Sequence, residues 1–400
     1  MKKILSIIGK LLLSALLLIG LIVCAFSVSP IFRFSAPEPF HGPDIYNPYD
    51  GLPAVPSWKR ANFHTHTRVD GILNECPDYA HVVYRNYMRL GYDILSFSNH
   101  NELTRHPYDS TLQINVYEHG YSLFKFHKLV FNPSRMLLYD HLLPVLASQR
   151  QWQLDYLSRN ADFVVMNHPD RTLMVTGGMM RKLSGYRMIE ADCGVSNGQR
   201  RWDEALGAGH YSHCMIGDDC HDSGRTVKIA RRCVWMEVPS AGYEDVRQTL
   251  LKGCFYSMCI PDFGNGDWDV KIEGNSHLPR MDGIGVKGDT VFVRLSSPAR
   301  IEAVGTGQRI LAYTDGSECE CVLGPDEPYV RFRAAFDNGV TIYSNVFARY
   351  DSSVSDSPYR AAPHSVNWLL TVLFNAALLA LAVLICLCIR GLWAHKELKS

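Results

Sequence analysis

The run Asn62-Phe-His64-Thr-His66-Thr-Arg-Val-Asp70-Gly71 sets two histidines at i and i+2 on an apolar, β-branched stretch. On a strand these two imidazoles share one face, and at a strand end they would aim at one point, as a metal ion requires. His100 closes Ile94-Leu-Ser-Phe-Ser-Asn-His, and Glu118 and His127 flank Tyr121-Ser-Leu-Phe-Lys-Phe. His168 closes Val164-Val-Met-Asn-His, and Asp219 with His221 forms a second i, i+2 pair in Gly217-Asp-Asp-Cys-His. Twelve of the sixteen histidines fall between His64 and His221, a concentration that even spacing does not give. Singly, each of these residues has a plain explanation as a cap, turn or surface group. Jointly, His64, His66, Asp70, His100, Glu118, His127, His168, Asp219 and His221 are more ligands than one cation needs. Two or three divalent ions (zinc, manganese or iron) are the expectation.

Such side chains act together only if strands bring them to one rim. From Trp58 to about Pro261, short apolar runs alternate with helical stretches. Asp78–Leu90 has helical spacing and is stopped by Gly91; Asp93-Ile-Leu-Ser-Phe-Ser, Phe163-Val-Val-Met and Arg187-Met-Ile-Glu190 read as strands. Repeated strand and helix predicts an α/β sheet or barrel, whose site lies at strand ends. From about Asp262 to Tyr350 the period becomes two, which predicts a small antiparallel β unit. Thr314-Asp-Gly316 reads there as a hairpin turn, and Cys319 and Cys321 as core residues on one strand face. Pro30 to Pro56 holds seven prolines and reads as an extended tether.

Two uncharged apolar stretches, 11–32 and 368–389, are long enough to cross a hydrocarbon layer of ~30 Å. Lys2, Lys3 and Lys10 would suit a cleaved signal peptide, but the apolar run is long and no clear Ala-x-Ala site follows, so a signal anchor is expected. With Arg390, Lys396 and Lys399 after the second stretch, the basic flanks place both termini in the cytoplasm. Residues between the spans then lie on the periplasmic side of an inner membrane. Formal net charge is zero, so no broad electrostatic footprint for nucleic acid is present. Of twelve cysteines, Cys24, Cys386 and Cys388 lie in the spans, and there is no Cys-x-x-Cys to support a zinc finger or a thioredoxin motif.

Taken in order, these motifs resemble the polymerase-and-histidinol-phosphatase (PHP) domain over about residues 58–262. The matches are His64-x-His66 with Asp70-Gly71, Gly91-Tyr-Asp followed by Ser98-Asn99-His100-Asn101, Glu118 with His127-Lys-Leu-Val, His168-Pro169, and Gly217-Asp218-Asp219-Cys220-His221. The resemblance implies a distorted seven-stranded (β/α) barrel holding up to three metal ions, and a β-sandwich found after some PHP domains. Three departures stand out: Asn99 replaces an aspartate beside the second-motif histidine, Cys220 a small residue, and Asp218 a serine. Asn99 could cost His100 an orienting carboxylate, Cys220 could bind metal, and Asp218 would add negative charge. His119, next to Glu118, is a further possible ligand.

The expected organisation is therefore a cytoplasmic N-terminus (1–10), a transmembrane helix (11–32), a Pro-rich linker (33–57), a PHP-like metallohydrolase domain (58–262), a β-sandwich (263–350), a linker (351–367), a second transmembrane helix (368–389) and a cytoplasmic tail (390–400). Clustered divalent ions activate water and hold phosphate oxygens in line, so the expected activity is phosphomono- or phosphodiester hydrolysis. Arg171 and Arg68 are the candidate cations for the phosphate, and His221 or Asp219 the candidate proton donors. The expected substrate is a phosphorylated small molecule, a lipid headgroup or an envelope glycan, met at the bilayer. Two alternatives remain: a PHP-like receptor that has lost turnover, with Asn99 as its clue, and an amidohydrolase, which would want a carboxylated lysine.

Overall fold

Alternate residues of nine short strands supply one buried apolar filling. Ala61 and Phe63, Ile94, Val116, Leu129 and Phe131, Phe163 and Val165, Met188, Met215, Val234 and Met236, and Phe255 all pack into a single cluster. That is the period-two signature of strands turned toward a common interior. The computed structural model describes residues 2–70, 74–192 and 199–394. Gly71 of the first motif, Lys396 and Lys399 lie outside the described residues.

Around this filling run Phe255–Cys259, Arg232–Glu237, Trp58–Asn62 and Ile94–Leu95, then Val116–His119, Lys128–Phe131, Phe163–Met166, Met188–Ile189 and His213–Cys214. The first four belong to one sheet and the last five to another. A parallel bridge between His100 and Glu118 joins the two. Among the described residues the strands do not close into a barrel. Between His213–Cys214 and Phe255–Cys259 the ladder is broken, and side chains span the seam instead. Ser257 Oγ donates to Cys214 O (2.6 Å) and accepts from Ile216 N (3.3 Å). Asn345 accepts from Cys214 N (2.8 Å) and donates to Gly253 O and Phe255 O (both 2.9 Å).

Asn345 arrives from the antiparallel region, which is not hydrogen-bonded as a sheet of its own. Thr341–Tyr343 pairs with Phe255–Cys259, and Tyr329–Ala335 and Thr290–Val304 follow in the same sheet. One apolar core accordingly runs from Tyr87 and Tyr256 through to Val293 and Phe332. The expected hairpin at Thr314-Asp-Gly316 is corrected: Ile310–Val322 is one strand, with Gly316 opposite Ala299. The strand-forming residues on either side and a continuous partner outweigh the local turn chemistry. The linker expectation is corrected too. Phe40 and Tyr49 are buried in the cores and Asp44–Tyr46 pairs with Phe347–Tyr350, because the aromatics among the prolines supply apolar area to bury. Cys319 and Cys321 are core residues.

The helices Lys2–Ala25 and Trp368–Trp393 are long and apolar enough to cross a membrane, and their side chains are largely exposed. They lie antiparallel. Ser14 Oγ accepts from Trp393 Nε1 (2.9 Å), Gly20 sits against Ile385, and Ser29 N donates to Asn375 Oδ1 (3.3 Å). Just beyond them Phe32–Phe34 pairs with His364–Val366. Asn367 caps the second helix by accepting from Leu370 N (3.2 Å).

Asn345→Ala strands one buried N–H and weakens the seam. A loss of about 3 kcal/mol is expected in urea unfolding of the full chain. A loss below about 1 kcal/mol would show that other contacts hold the ring.

Candidate metal centre

The two i, i+2 pairs are set side by side by backbone. His66 N donates to Cys220 O (3.0 Å) and Asp219 N to His64 O (2.8 Å), making a parallel bridge between Thr65 and Cys220. Strand alternation then sends His64, His66, Asp219 and His221 to one side, and Thr65 and Cys220 to the other. Cys220 is buried in the apolar core on that other side, away from the four, and burial pushes its thiol far up. Close approach needs a glycine at 217: a Cβ there would come within 2.3 Å of His64 Cβ. Asp219 itself holds a left-handed φ of 50°, and His168 one of 26°. Strained backbone of this kind is characteristic of functional positions.

Glu118 lies at the centre, fully buried. Its Oε2 is 3.3 Å from His64 Nε2 and from His66 Nε2, and 3.4 Å from His100 Nε2. Its Oε1 is 3.2 Å from His127 Nδ1, 3.1 Å from His168 Nε2 and accepts from Asn167 Nδ2 at 2.9 Å. Asp219 Oδ1 is 3.2 Å from His64 and His66 Nε2, and 3.1 Å from His221 Nε2. Two groups of convergent ligand atoms result: His64, His66, Glu118 and Asp219, and His100, Glu118 and His127.

These residues fit divalent cations on two observations. Among the described residues buried His64 Nε2 and Glu118 Oε2 have no hydrogen-bond partner although they are 3.3 Å apart, so they aim past each other at shared space. Donor separations of 3.2–3.4 Å are also the edges expected between ligands each ~2.1 Å from one cation. The first group offers four nitrogen or oxygen ligands. The second offers three, which leaves room for a ligand from outside the protein.

Charges follow from this crowding. Burial works to raise Glu118, but the charges of His64 and His127, with hydrogen bonds from His127 and His168, hold it well below the usual carboxylate range. Asp219 is likewise pushed up by burial and held well below its usual value by the charge of His64 and by hydrogen bonds from His221 and His66. Both carboxylates are thus held toward their ionised forms, the form a cation would need. Burial lowers His64, yet Glu190, Glu118 and Asp219 carry it well above its ordinary value. His66 is raised in the same way by Asp219 and Glu118. Burial takes His100 down to about 4.

Other expectations fare differently. Asp70 is exposed and, among the described residues, makes no contact with the cluster. Glu75 stands in that quarter instead, its Oε2 3.4 Å from His100 Nε2 and 3.6 Å from His221 Nδ1. Arg171 is brought in and forms an ion pair with Asp219. Arg68 is not: its guanidinium lies 5.0 Å from the Tyr79 ring centre. His119 points the opposite way along its strand, bonded to Tyr139 O (3.0 Å), and burial lowers it to about 3. Asn99 does not face the His100 ring; it accepts from Thr67 N (2.7 Å) and donates to the Thr67 and Thr104 hydroxyls. Asp218 also turns away, accepting from Tyr87 OH and the amides of Arg231 and Arg232.

A second residue not anticipated, besides Glu75, is Glu190. Its Oε1 is 2.7 Å from His64 Nδ1 and its Oε2 accepts from His168 N (3.1 Å). A carboxylate behind a histidine fixes the ring and leaves Nε2 for metal. It ends the strand read at Arg187–Glu190, so its position was visible in the sequence.

No family model matches the chain, and no curated protein does. Among solved structures, a two-domain protein from Bacteroides vulgatus that contains a predicted PHP-like metal-dependent phosphoesterase aligns with 13% identity. The alignment covers 78% of this chain and 100% of that one at a TM-score of 0.38.

Because Glu118 belongs to both groups, Glu118→Ala is expected to remove all bound divalent metal, while His127→Ala removes roughly one ion per chain; metal analysis of the purified protein reads both. Equal losses in the two variants would show that Glu118 is not shared. His64 and His66 bind protons more tightly than usual, so cations must displace them. Apparent zinc affinity should rise from about pH 6 to about pH 8, with proton release in calorimetry.

Proposed function

We propose that the chain is a membrane-tethered, metal-dependent phosphoesterase that hydrolyses phosphomono- or phosphodiesters. The observation that supports this most is one buried carboxylate, Glu118, common to two ligand groups, with Arg171 at their rim. When bound, the ions would activate water and offset the negative charge of a phosphate. His64, His66, Glu118 and Asp219 would hold one ion, and His100, Glu118 and His127 the other.

The chain's own groups do the rest. Glu190 keeps His64 in one orientation, so binding a cation needs no ring flip. The site opens where His221 and Glu75 are partly exposed. There Arg171 is set to meet non-bridging phosphate oxygens, giving up its bond to Asp219 as it does so. Its turn is held by the Arg201–Asp170 ion pair (3.1 Å). Among the described residues His221 Nδ1 has no hydrogen-bond partner, and it faces Glu75 across 3.6 Å, which suits it to pass a proton to the leaving oxygen. The buried Lys128 amine donates to Phe126 O (2.7 Å) and Gln153, not to the cluster, so it does not serve as a bridging lysine of the amidohydrolase kind. The Asn99 contacts likewise leave the receptor reading without its clue.

The antiparallel helix pair supports tethering at both ends. Lys3, Lys10 and Arg390 stand at the helix ends remote from the folded body, which favours cytoplasmic termini and a periplasmic site.

Assayed as metal-loaded full chain, Arg171→Ala should lower kcat about 100-fold with metal content intact, whereas His64→Ala should lose metal and activity together. Failure of the unaltered chain to hydrolyse any member of a panel of phosphomono- and diesters would overturn the proposal.

A further inference from the structure

The loop that links two of the ligands also touches the residue where the N-terminal apolar helix ends. Glu118 and His127 are joined by Gly120–Phe126. Gly120, at φ 137°, lies against His127, where a Cβ would come within 2.7 Å of the ring. The next residue, Tyr121, packs edge-on to Phe26, ring centres 6.5 Å apart. Phe26 directly follows the helix Lys2–Ala25 and also stacks on Tyr139 at 5.8 Å. Three hydrogen bonds clamp the body to this exit segment. His141 Nδ1 bonds Phe26 O (2.8 Å), Gln149 Nε2 donates to Ser27 O (3.1 Å), and Phe32 N donates to Ser148 Oγ (3.0 Å). These contacts pack the ligand loop at the level of the helix ends.

At that level the loop and its neighbour expose apolar side chains. Leu123 is 70% exposed, Leu138 53% and Val145 45%. Leu123 N donates to Leu142 O (3.1 Å), which joins the two segments into one rim. Trp368, at the head of the second helix, is 72% exposed. Exposed leucines beside aromatics at the end of an apolar helix are the composition of a membrane interface.

We infer that this rim, Leu123 with Leu138, Val145 and Tyr121, dips into the bilayer surface, so that the metal centre takes a phosphoester carried on a membrane lipid. The inference rests on the phosphoesterase and membrane-tethering readings and narrows their substrate. A soluble phosphate would gain nothing from an apolar rim. A lipid headgroup would meet the ligand loop without its acyl chains leaving the membrane, and binding energy from the chains would position the ester.

The test uses full chain reconstituted in phosphatidylcholine vesicles. A photoreactive benzoyl-phenylalanine at position 123 should form a lipid adduct, while the same group at exposed Val322 in the β region should not. Leu123→Asp should lower hydrolysis of phosphatidic acid in the vesicles about tenfold and change hydrolysis of p-nitrophenyl phosphate less than twofold. No adduct at 123, equal adducts at 123 and 322, or equal loss on both esters would overturn the inference. An adduct at 123 with neither ester hydrolysed would keep the rim and reject its lipid-ester substrate, since the phosphoesterase reading itself would then have failed. A soluble ester hydrolysed with no adduct would do the reverse.

Discussion

A fully buried carboxylate surrounded by imidazoles is the constraint on which this molecule turns. Glu118 has five histidine nitrogens within 3.4 Å. An ionised acid without compensation could not remain in such a place, since desolvation would neutralise it. Protons on the histidines, or divalent cations, must balance it. Among the described residues only histidines form ion pairs with it, and the surrounding backbone is shaped to suit. A glycine lets His64 approach, Asp219 takes a left-handed conformation, and a single parallel bridge carries His100 to its place.

Much of this was legible because strand periodicity is a strong local rule. His64 and His66, like Asp219 and His221, share a face by virtue of spacing alone, and the same rule turns His119 away from the site that Glu118 enters. Asp70 and Arg68 lie beyond the strand end, where no periodicity dictates direction and the chain is exposed, so spacing alone could not place them against the cluster. Glu190 was equally legible by position; what hid it was that its role is to orient another side chain. Asn99 and Asp218 look like ligand-neighbours in the sequence, yet face away from the cations' place, and only three-dimensional pairing reveals it.

Longer-range features were less accessible. Nothing local in Tyr343-Ser-Asn345 says that its asparagine spans a break between strands lying 131 and 90 residues earlier in the chain. The antiparallel region looked separable because its period differs, but one core and one sheet run through both regions. Local turn chemistry at Asp315-Gly316 also proved weaker than a long partner strand.

The Asn345 closure has a consequence for how the chain is made. A ribosome delivers every strand of the ring, and all the metal ligands, well before residue 345 emerges. During that interval Cys214 N stands without its acceptor on a strand edge, and the side-chain span across the break is missing. An open edge is a template for other chains. The nascent protein must pass through a stage in which its metal site can already assemble while its ring is still open to strangers. Early metal capture, by stiffening the half-built ring, would shorten its exposure.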